Sequence, residues 1–311
     1  MVNYAAIDFG SNSTRILIAS VENKIIEKKL KTHIVTRMAE GLLASNSISS
    51  DAITRVHDAM EIFEKELNSF EIESIFAIGT SAMRDSNNAL NVIEMIRNNF
   101  NINIEVISGE KEAKLTHLGA LNELDKSSSS ILFDIGGGST EVIFSKDNRI
   151  IPFSYQIGVV RMTEEVLHSR PVDDIQEKAA VKIIKSRIHR EEQADFLSDE
   201  VVAIGTAGTF TSLGAISLGL TSYDSNKVHM HKLNKSWLSE LYSKLRLLDV
   251  EGIINEYPGI DPARSTTITP GALIARELME IYEIKNLVVS ENDILEGLIL
   301  NKVLNYLFFY N

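Results

Sequence analysis

Two short segments place an aspartate at the end of an apolar stretch, directly before a turn built of small residues. The first segment contains Asp8 and the turn residues Gly10, Ser11, Asn12 and Ser13. The second contains Asp134 and the turn residues Gly136, Gly137, Gly138, Ser139 and Thr140. Glycine permits positive φ and close backbone approach, so successive N–H groups can surround an anion. The aspartate beside them can hold Mg²⁺ or its water, and each segment therefore predicts a phosphate-binding loop.

The two segments are copies of each other at a fixed distance along the chain. Asp134 follows Asp8 by 126 residues, and Gly136 follows Gly10 by the same distance. A second pair keeps this offset, because residues 77–80 and 203–206 both read Ala-Ile-Gly-Thr. One short similarity means little, whereas two at one spacing predict a duplicated domain. We therefore expect two domains that face each other across a cleft, with one loop on each side.

The spacing of apolar residues predicts the elements that position these loops. Strands are expected over residues 4–8, 15–21, 75–78, 104–107, 130–134 and 141–144. Ser50 and Asp51 begin a helix with one apolar stripe, and further helices are expected over residues 89–100 and from about Glu110. The apolar stretch 298–310 predicts a packed amphipathic helix.

A polar, serine-rich segment, residues 122–130, cannot contribute to a core and precedes the second loop. It predicts a first domain over residues 1–125 and a second over 126–311. The sequence leaves open whether the last helix packs back on the first domain.

Composition restricts the class of protein. The 311 residues are 44% hydrophobic and 24% charged, which is typical of a globular chain. The lack of cysteine excludes a disulfide framework, a thiolate metal site and a cysteine nucleophile, and it fits a cytoplasmic location. The net charge of −12 argues against a nucleic-acid partner. We find no signal-peptide pattern and no uncharged run of membrane-spanning length, so no membrane partner is expected.

Both loop segments resemble the phosphate loops of the exopolyphosphatase/guanosine pentaphosphate phosphohydrolase family, which belongs to the superfamily of sugar kinases, actin and heat-shock ATPases. Further matches follow in order over residues 34–42, 79–84, 107–113, 158–164 and 205–209. The resemblance implies an α/β fold of two duplicated actin-like (RNase H-like) domains with the substrate in the cleft between them. It also implies Mg²⁺-assisted attack of water on the terminal phosphate of inorganic polyphosphate, of guanosine pentaphosphate or of both.

The same resemblance implies roles for individual residues. Glu112 matches the catalytic base, although its place in the first turn of a helix would also be favourable for a purely structural carboxylate. Asp134 and Glu141 match acidic positions that act on Mg²⁺ and the attacking water, and Asp8 is the counterpart of Asp134 in the first domain. Arg84, Gly205 and Thr206 are expected to bind phosphate together with the residues of the two loops.

This sequence departs from the family pattern in three places. Longer members carry additional C-terminal helical domains beyond the last residue here, which weakens the expectation of strong binding to long polymers. Position 111 is lysine where many relatives have an acid, and Leu295 occupies a position where the family often has arginine.

Two other functions remain open from the residues. One is a nucleotide-dependent kinase of the same superfamily, and the other is an inactive module that senses nucleotide or polyphosphate. No Gly-x-x-x-x-Gly-Lys-Ser/Thr motif occurs, so a P-loop NTPase is excluded at the level of motifs. The oligomeric state is open, with a homodimer among the partners considered.

Overall fold

The chain forms two compact units, each with its own sheet. The computed structural model describes residues 2–23, 25–123, 129–146, 149–188 and 201–304. Unit 1 comprises Met1–Glu123 and Asn292–Asn311, and unit 2 comprises Leu124–Glu291. The chain thus leaves unit 1 close to the boundary predicted after residue 125, and it returns to unit 1 at Asn292 instead of continuing unit 2 to residue 311. Part of the predicted boundary segment, residues 124–128, lies outside the described residues.

A five-stranded mixed sheet forms the centre of unit 1. Its strands are β1 (Asn3–Phe9), β2 (Ser13–Glu22), β3 (Ile25–Val35), β4 (Ile72–Gly79) and β5 (Ile104–Val106). They lie in the order β3-β2-β1-β4-β5, with β1 antiparallel to β2 and parallel to β4. The central strand β1 is buried over its last five residues, as expected for a strand covered on both faces. Its carboxyl end leads directly into the first glycine turn.

Unit 2 repeats this arrangement. Its strands are β6 (Ser130–Ile135), β7 (Thr140–Lys146), β8 (Arg149–Tyr155), β9 (Val202–Thr206), β10 (Lys232–Asn234) and β11 (Asn286–Val289). The order β8-β7-β6-β9-β11 corresponds to β3-β2-β1-β4-β5, and β10 extends the edge beyond β11. The parallel register differs between the units, since Asp8 lies opposite Ile78 whereas Asp134 lies opposite Thr206. The duplication is therefore one of topology, with a two-residue shift between the central parallel strands.

Among the described residues before β6 there are five helices, of which the second, fourth and fifth were predicted and the two short ones were not. They are α1 (Leu42–Ser45), α2 (Ser50–Asn68), α3 (Ser81–Asp85), α4 (Ala89–Phe100) and α5 (Gly109–Ala120). The N-cap of α2 is Ser49, whose hydroxyl accepts a hydrogen bond from the N–H of Ala52 at 3.2 Å. Ser108 caps α5 in the same way through the N–H of Lys111. Both serines satisfy a backbone donor that the first helical turn leaves unpaired.

The helices of unit 2 surround one buried helix. They are α6 (Val159–Glu165), α7 (Asp174–Arg187), α8 (Ala207–Ser217), α9 (Ser225–Val228), α10 (Lys235–Leu245), α11 (Val250–Glu256) and α12 (Ile268–Ile281), with a 3-10 helix over Pro262–Arg264. The buried helix is α12, which packs against α6, α7, α8 and α10. Helix α8 begins immediately after β9, so this strand and helix share one tight connection.

The last helix of the described chain, α13 (Ile294–Leu304), belongs to unit 1 and packs on α5 and β1. Leu295, Leu298 and Ile299 are fully buried in a core cluster that also contains Leu17 of β2 and Leu115 of α5. Leu295 is thus a core residue in this chain. Residues 305–311, which include the end of the predicted C-terminal helix, lie outside the described residues.

Two glycines bring the backbones of α5 and α13 into direct contact. A Cβ added to Gly119 would lie 1.8 Å from the carbonyl oxygen of Asp293, and one added to Gly297 would lie 1.8 Å from that of Leu115. Neither position can hold a side chain without separating the helices, because protein interiors are close-packed. The contact therefore fixes α5, which carries Glu112, to the C-terminal helix.

Within the described residues, no helix combines the length and the apolar character that a membrane crossing requires.

We predict that Gly297→Ala lowers the free energy of unfolding of unit 1 by about 3 kcal/mol, because the added methyl group overpacks the α5–α13 contact. Gly252→Ala in α11 is the matched control, since a Cβ there meets only the side chains of Asp249 and Leu248, at 3.1 Å or more. We expect the control to change stability by less than about 1 kcal/mol. Urea unfolding followed by circular dichroism measures both, and equal losses would contradict the proposed constraint.

Candidate functional site

Loop 1, residues 10–12, connects β1 to β2 in a tight turn. The N–H of Gly10 donates to the carbonyl oxygen of Ser13 at 3.1 Å. A Cβ on Gly10 would lie 2.8 Å from that same oxygen, so this turn requires glycine. The hydroxyl of Ser11 accepts a hydrogen bond from the N–H of Ala82 at 3.1 Å, which attaches the loop to α3. The shape of loop 1 thus depends on its own turn and on the segment that follows β4.

Loop 2, residues 136–138, makes the same turn between β6 and β7. The N–H of Gly136 donates to the carbonyl oxygen of Ser139 at 2.9 Å, as the equivalent residues of loop 1 do. Gly158 lies against this loop, and a Cβ there would be 2.3 Å from the carbonyl oxygen of Gly137. The absence of a side chain at residue 158 therefore lets a second segment support the loop from close range.

In each unit such a supporting segment binds carbonyl groups of the loop. The carbonyl oxygen of Asn12 accepts from the N–H groups of Thr36 and Arg37, at 3.1 and 2.8 Å. The carbonyl oxygen of Gly137 accepts from those of Val160 and Arg161, at 2.9 and 3.2 Å. Because these carbonyl dipoles point toward N–H donors of the protein, they oppose an incoming anion less than free carbonyl groups would. Both loops thus have a carbonyl group whose negative end is paired within its own unit.

The supporting segments are themselves a repeat that sequence reasoning missed. Residues 37–40 read Arg-Met-Ala-Glu and residues 161–164 read Arg-Met-Thr-Glu, which are 124 residues apart. Met38 and Met162 are both fully buried. The offset differs by two residues from that of the loops, and a search that allowed the offset to vary would have found this pair.

The residues opposite the two loop aspartates carry different charges. Asp8 lies opposite Arg15 across β1 and β2, and Asp134 lies opposite Glu141 across β6 and β7. Position 15 corresponds to position 141 at the offset of 126, so the same place in the hairpin holds a cation in unit 1 and an anion in unit 2. Arg15 was not among the predicted site residues, and the offset alone could have identified it.

The pair in unit 1 is neutralised within the protein. Nε and Nη2 of Arg15 donate to Oδ2 of Asp8 at 3.0 and 2.5 Å. Oδ1 of Asp8 is buried and has no hydrogen-bond partner among the described residues. Burial raises the pKa of Asp8, and the charge and hydrogen bonds of Arg15 oppose that rise.

The pair in unit 2 consists of two carboxylates, Asp134 and Glu141, that face each other directly across the hairpin. Like charges in such cross-strand positions destabilise a sheet unless donors or a cation offset them. The hydroxyl of Ser154 on β8 donates to Oε1 of Glu141 at 2.8 Å. The hairpin thus places two carboxylates, which are oxygen ligands of the kind that divalent cations accept, opposite each other.

Glu112 and Arg84, two predicted site residues of unit 1, contact each other. Glu112 lies in the first turn of α5 and Arg84 near the end of α3. Nη1 of Arg84 donates to Oε2 of Glu112 at 2.6 Å and to the carbonyl oxygen of Ile107 at 3.0 Å. The candidate base therefore has a guanidinium as its counter-charge.

The protonation of Glu112 is set by opposing effects. Burial raises its pKa to about 7, while the charge and hydrogen bond of Arg84 limit the rise. The negative charge of Asp8 acts in the same direction as burial. A carboxylate with a pKa near 7 is well suited to accept a proton at neutral pH.

Two predicted phosphate ligands use their hydroxyl groups within the fold. Oγ1 of Thr140 donates to the carbonyl oxygen of Ile157 at 2.5 Å, and Oγ1 of Thr206 donates to that of Ser290 at 3.2 Å. Both hydroxyl protons are therefore used in bonds within the fold. Thr206 also lies beside Asp134 in the parallel pair of β6 and β9, which places Gly205 and Thr206 near loop 2.

Comparison with known proteins relates the whole chain to one family. Residues 17–306 match the Ppx/GppA phosphatase family. The chain is 31% identical over 316 residues to exopolyphosphatase 2 of Mycobacterium tuberculosis, covering 97% of this chain and 98% of that protein. It is 28% identical over 303 residues to the guanosine-5'-triphosphate,3'-diphosphate pyrophosphatase of Vibrio parahaemolyticus, covering 96% of this chain and 59% of that protein.

The fold is also found among solved structures. An exopolyphosphatase from Cytophaga hutchinsonii superposes with a TM-score of 0.88 at 22% identity, covering 97% of this chain and 98% of that one. The prediction of an α/β fold with two actin-like domains is confirmed by the two sheets of common topology and by this similarity.

We predict that Glu112 makes stability depend on pH. Its pKa of about 7 in the folded protein exceeds the ordinary value of 4.5, so folding favours its protonated form. This contribution is complete below about pH 4.5 and is lost as the pH rises through about 7. Glu112→Gln should remove it, and urea midpoints measured from about pH 5 to 8 should fall more steeply for the wild type than for the variant. Parallel curves would contradict the raised pKa.

Proposed function

This chain belongs to the Ppx/GppA phosphatase family, and from that premise we propose that it hydrolyses the terminal phosphoanhydride bond of inorganic polyphosphate, of guanosine pentaphosphate or of both. The observation that carries the proposal is the buried Glu112, with a pKa of about 7, held by Arg84 in the unit that contains loop 1. A protein that only binds polyphosphate has no use for a carboxylate tuned to accept protons at neutral pH.

Glu112 acts as the general base in the proposed reaction. It takes a proton from water as the water oxygen bonds to the terminal phosphorus, and the bond from that phosphorus to the bridging oxygen breaks. The shortened chain leaves with the electron pair of the broken bond. Glu141 is the second proposed catalytic residue, which orients the water.

Arg84 connects substrate binding to the strength of this base. Its guanidinium binds Glu112 in the structure, and a phosphate oxygen of the substrate would compete for the same donors. When phosphate takes these donors, Glu112 loses part of its counter-charge and its pKa rises further. The substrate thus raises the proton affinity of the base that activates the attacking water.

We assign Mg²⁺ to the acidic residues. The opposed carboxylates of Asp134 and Glu141 suit a divalent cation. Oδ1 of Asp8, which has no hydrogen-bond partner within the described part of the chain, suits a water or a cation. When bound, the ion would offset the charge that develops on the phosphate oxygens.

Backbone N–H groups of the two loops supply the remaining attraction for phosphate. The proposed ligands are Gly10, Ser11, Asn12, Ser13, Gly136, Gly137, Gly138, Ser139, Thr140, Gly205 and Thr206, of which Gly10 and Gly136 donate their own N–H groups within the turns and act by shaping the loops. Fixed amide dipoles attract an anion at short range, which a protein of net charge −12 needs because its long-range field repels one. The cytoplasmic location and the homodimer stay predictions.

The test of the function is phosphate release measured side by side on long polyphosphate, short polyphosphate, guanosine pentaphosphate and ATP. We expect release from polyphosphate, guanosine pentaphosphate or both, and its loss when EDTA removes Mg²⁺. Phosphate transfer from ATP to an acceptor would instead identify a kinase. Tight binding of these compounds without any release would identify a sensing module.

We predict that Glu112→Gln lowers kcat by about two to four orders of magnitude with little change in KM, because the amide keeps the shape of the side chain but cannot take a proton. Asp134→Asn is the matched acid-to-amide comparison and should raise the Mg²⁺ concentration needed for half-maximal activity. In the wild type, kcat/KM should increase with pH up to about 7, as Glu112 loses its proton. Near-normal turnover of Glu112→Gln would transfer the role of base to Glu141 or Asp8.

A further inference from the structure

Arg15 binds two acidic residues at once, one beside loop 1 and one just before α13. Its Nε and Nη2 donate to Oδ2 of Asp8, and its Nη1 donates to Oδ2 of Asp293 at 2.7 Å. The side chains of Arg15, Asp8 and Asp293 are 17%, 4% and 6% exposed, so solvent screens these contacts little. A single guanidinium therefore joins the loop aspartate to the C-terminal helix within unit 1.

Asp293 is itself held in place by the start of α13. Its Oδ1 accepts from the N–H of Leu295 at 2.9 Å, and its own N–H donates to Oε2 of Glu296 at 2.8 Å. Glu296 thus accepts from the N–H of Asp293 as in a capping box, while Asp293 caps the N–H of the second residue of α13. Nζ of Lys31 lies 3.3 Å from Oδ2 of Asp293 and 2.8 Å from Oε1 of Glu296. The carboxylate that receives Arg15 is thus anchored by backbone and by charge.

Asp293 remains charged in this position. Burial alone would raise its pKa, but the charges of Arg15 and Lys31 and the hydrogen bond from Leu295 hold the pKa below its usual range. Arg15 consequently has a charged carboxylate partner on the side of Asp293.

The two carboxylate oxygens of Asp8 differ in their hydrogen bonds. Oδ2 receives two hydrogen bonds from Arg15, whereas Oδ1 is buried without a partner among the described residues. A buried acceptor without a donor is unfavourable, so Oδ1 is expected to gain a partner in the working enzyme. Because Arg15 is clamped between two acids, it cannot turn away and let Asp8 rotate.

We propose that Asp293 is a positioning residue, which holds Arg15 so that Asp8 presents Oδ1 as its one open acceptor to the water of the reaction. This inference rests on the proposed function. It adds Asp293 to the residues that act together with loop 1. Asp293 lies far from loop 1 in the sequence and is linked to Asp8 through the guanidinium of Arg15.

The first test is Asp293→Asn, which keeps a good N-cap side chain but removes the charge that holds Arg15. We expect kcat for phosphate release to fall about tenfold or more with KM within about twofold, since Asp8 is misplaced while phosphate binding is retained. Asp173→Asn is the matched control, because Asp173 caps α7 of unit 2 through the N–H of Gln176 at 2.8 Å. The control should keep normal kcat. Urea unfolding of both variants measures how much stability each loses with its helix cap.

The second test asks whether Asp293 acts through Asp8. In an Asp8→Asn background, adding Asp293→Asn should lower kcat no further, because the residue that it positions is already lost. An equal fold-loss in both backgrounds would overturn the proposal and leave Asp293 a structural cap. Arg15→Lys gives an independent variant that keeps the charge but cannot bind two acids as a fork, and it should reproduce the loss in kcat.

The outcomes separate this inference from the function on which it rests. If the wild type releases no phosphate from any substrate, the proposed function fails. If the wild type is active and both Asp293→Asn and Arg15→Lys keep kcat within about twofold, only the positioning role is overturned.

Discussion

The contact between α5 and α13 is the constraint on which the candidate site of unit 1 depends. Gly119 and Gly297 allow the two backbones to touch, and any side chain at either position would overlap a carbonyl oxygen. The contact fixes the helix that carries Glu112, and it fixes the start of α13, where Asp293 binds Arg15. Residues that lie far apart in the sequence thereby share one rigid support. The segment from Asn292 is part of the structural support of the candidate site in unit 1 for this reason.

Charge in unit 1 is arranged in pairs. Arg15 is shared by Asp8 and Asp293, and Arg84 is bound to Glu112. In the structure both guanidinium groups are therefore already bound to carboxylates and are not free to bind a polyanion. Such pairing of cations with acids is in keeping with an acidic chain of net charge −12. In the proposed reaction a phosphate oxygen takes the hydrogen bonds that Arg84 otherwise donates to Glu112. Substrate binding and the rise in the pKa of Glu112 therefore occur together. An acidic protein can act on a polyanion in this way without a broadly positive surface, because the exchange is local and partly shielded from solvent.

Duplication produced two hairpins of one shape and two different chemistries. Asp8 and Asp134 occupy the same place at the end of a central strand, but the residue across the hairpin is Arg15 in one unit and Glu141 in the other. The first pair satisfies its own charge. The second pair concentrates negative charge and suits a cation. A single change of residue at one cross-strand position is enough for this division, because opposite residues on one face of a sheet lie in direct contact.

The sequence by itself determined the loops, the strands around them, the apolar faces of α2 and α4, and the duplicated topology. These features depend on residues that are near one another in the chain, such as Asp8 with Gly10 or the stripe that ends at Leu67, so local pattern is sufficient to predict them. The offset of 126 residues also shows that Arg15 and Glu141 occupy equivalent positions in the two units. Only the strand register gave this equivalence a physical meaning, because it places each residue opposite a loop aspartate. Only the tertiary structure decided that α13 belongs to unit 1, that Arg84 binds Glu112, and that Asp293 reaches Arg15. Each of these joins residues distant in the chain, and such contacts depend on close packing and burial, which no local pattern encodes.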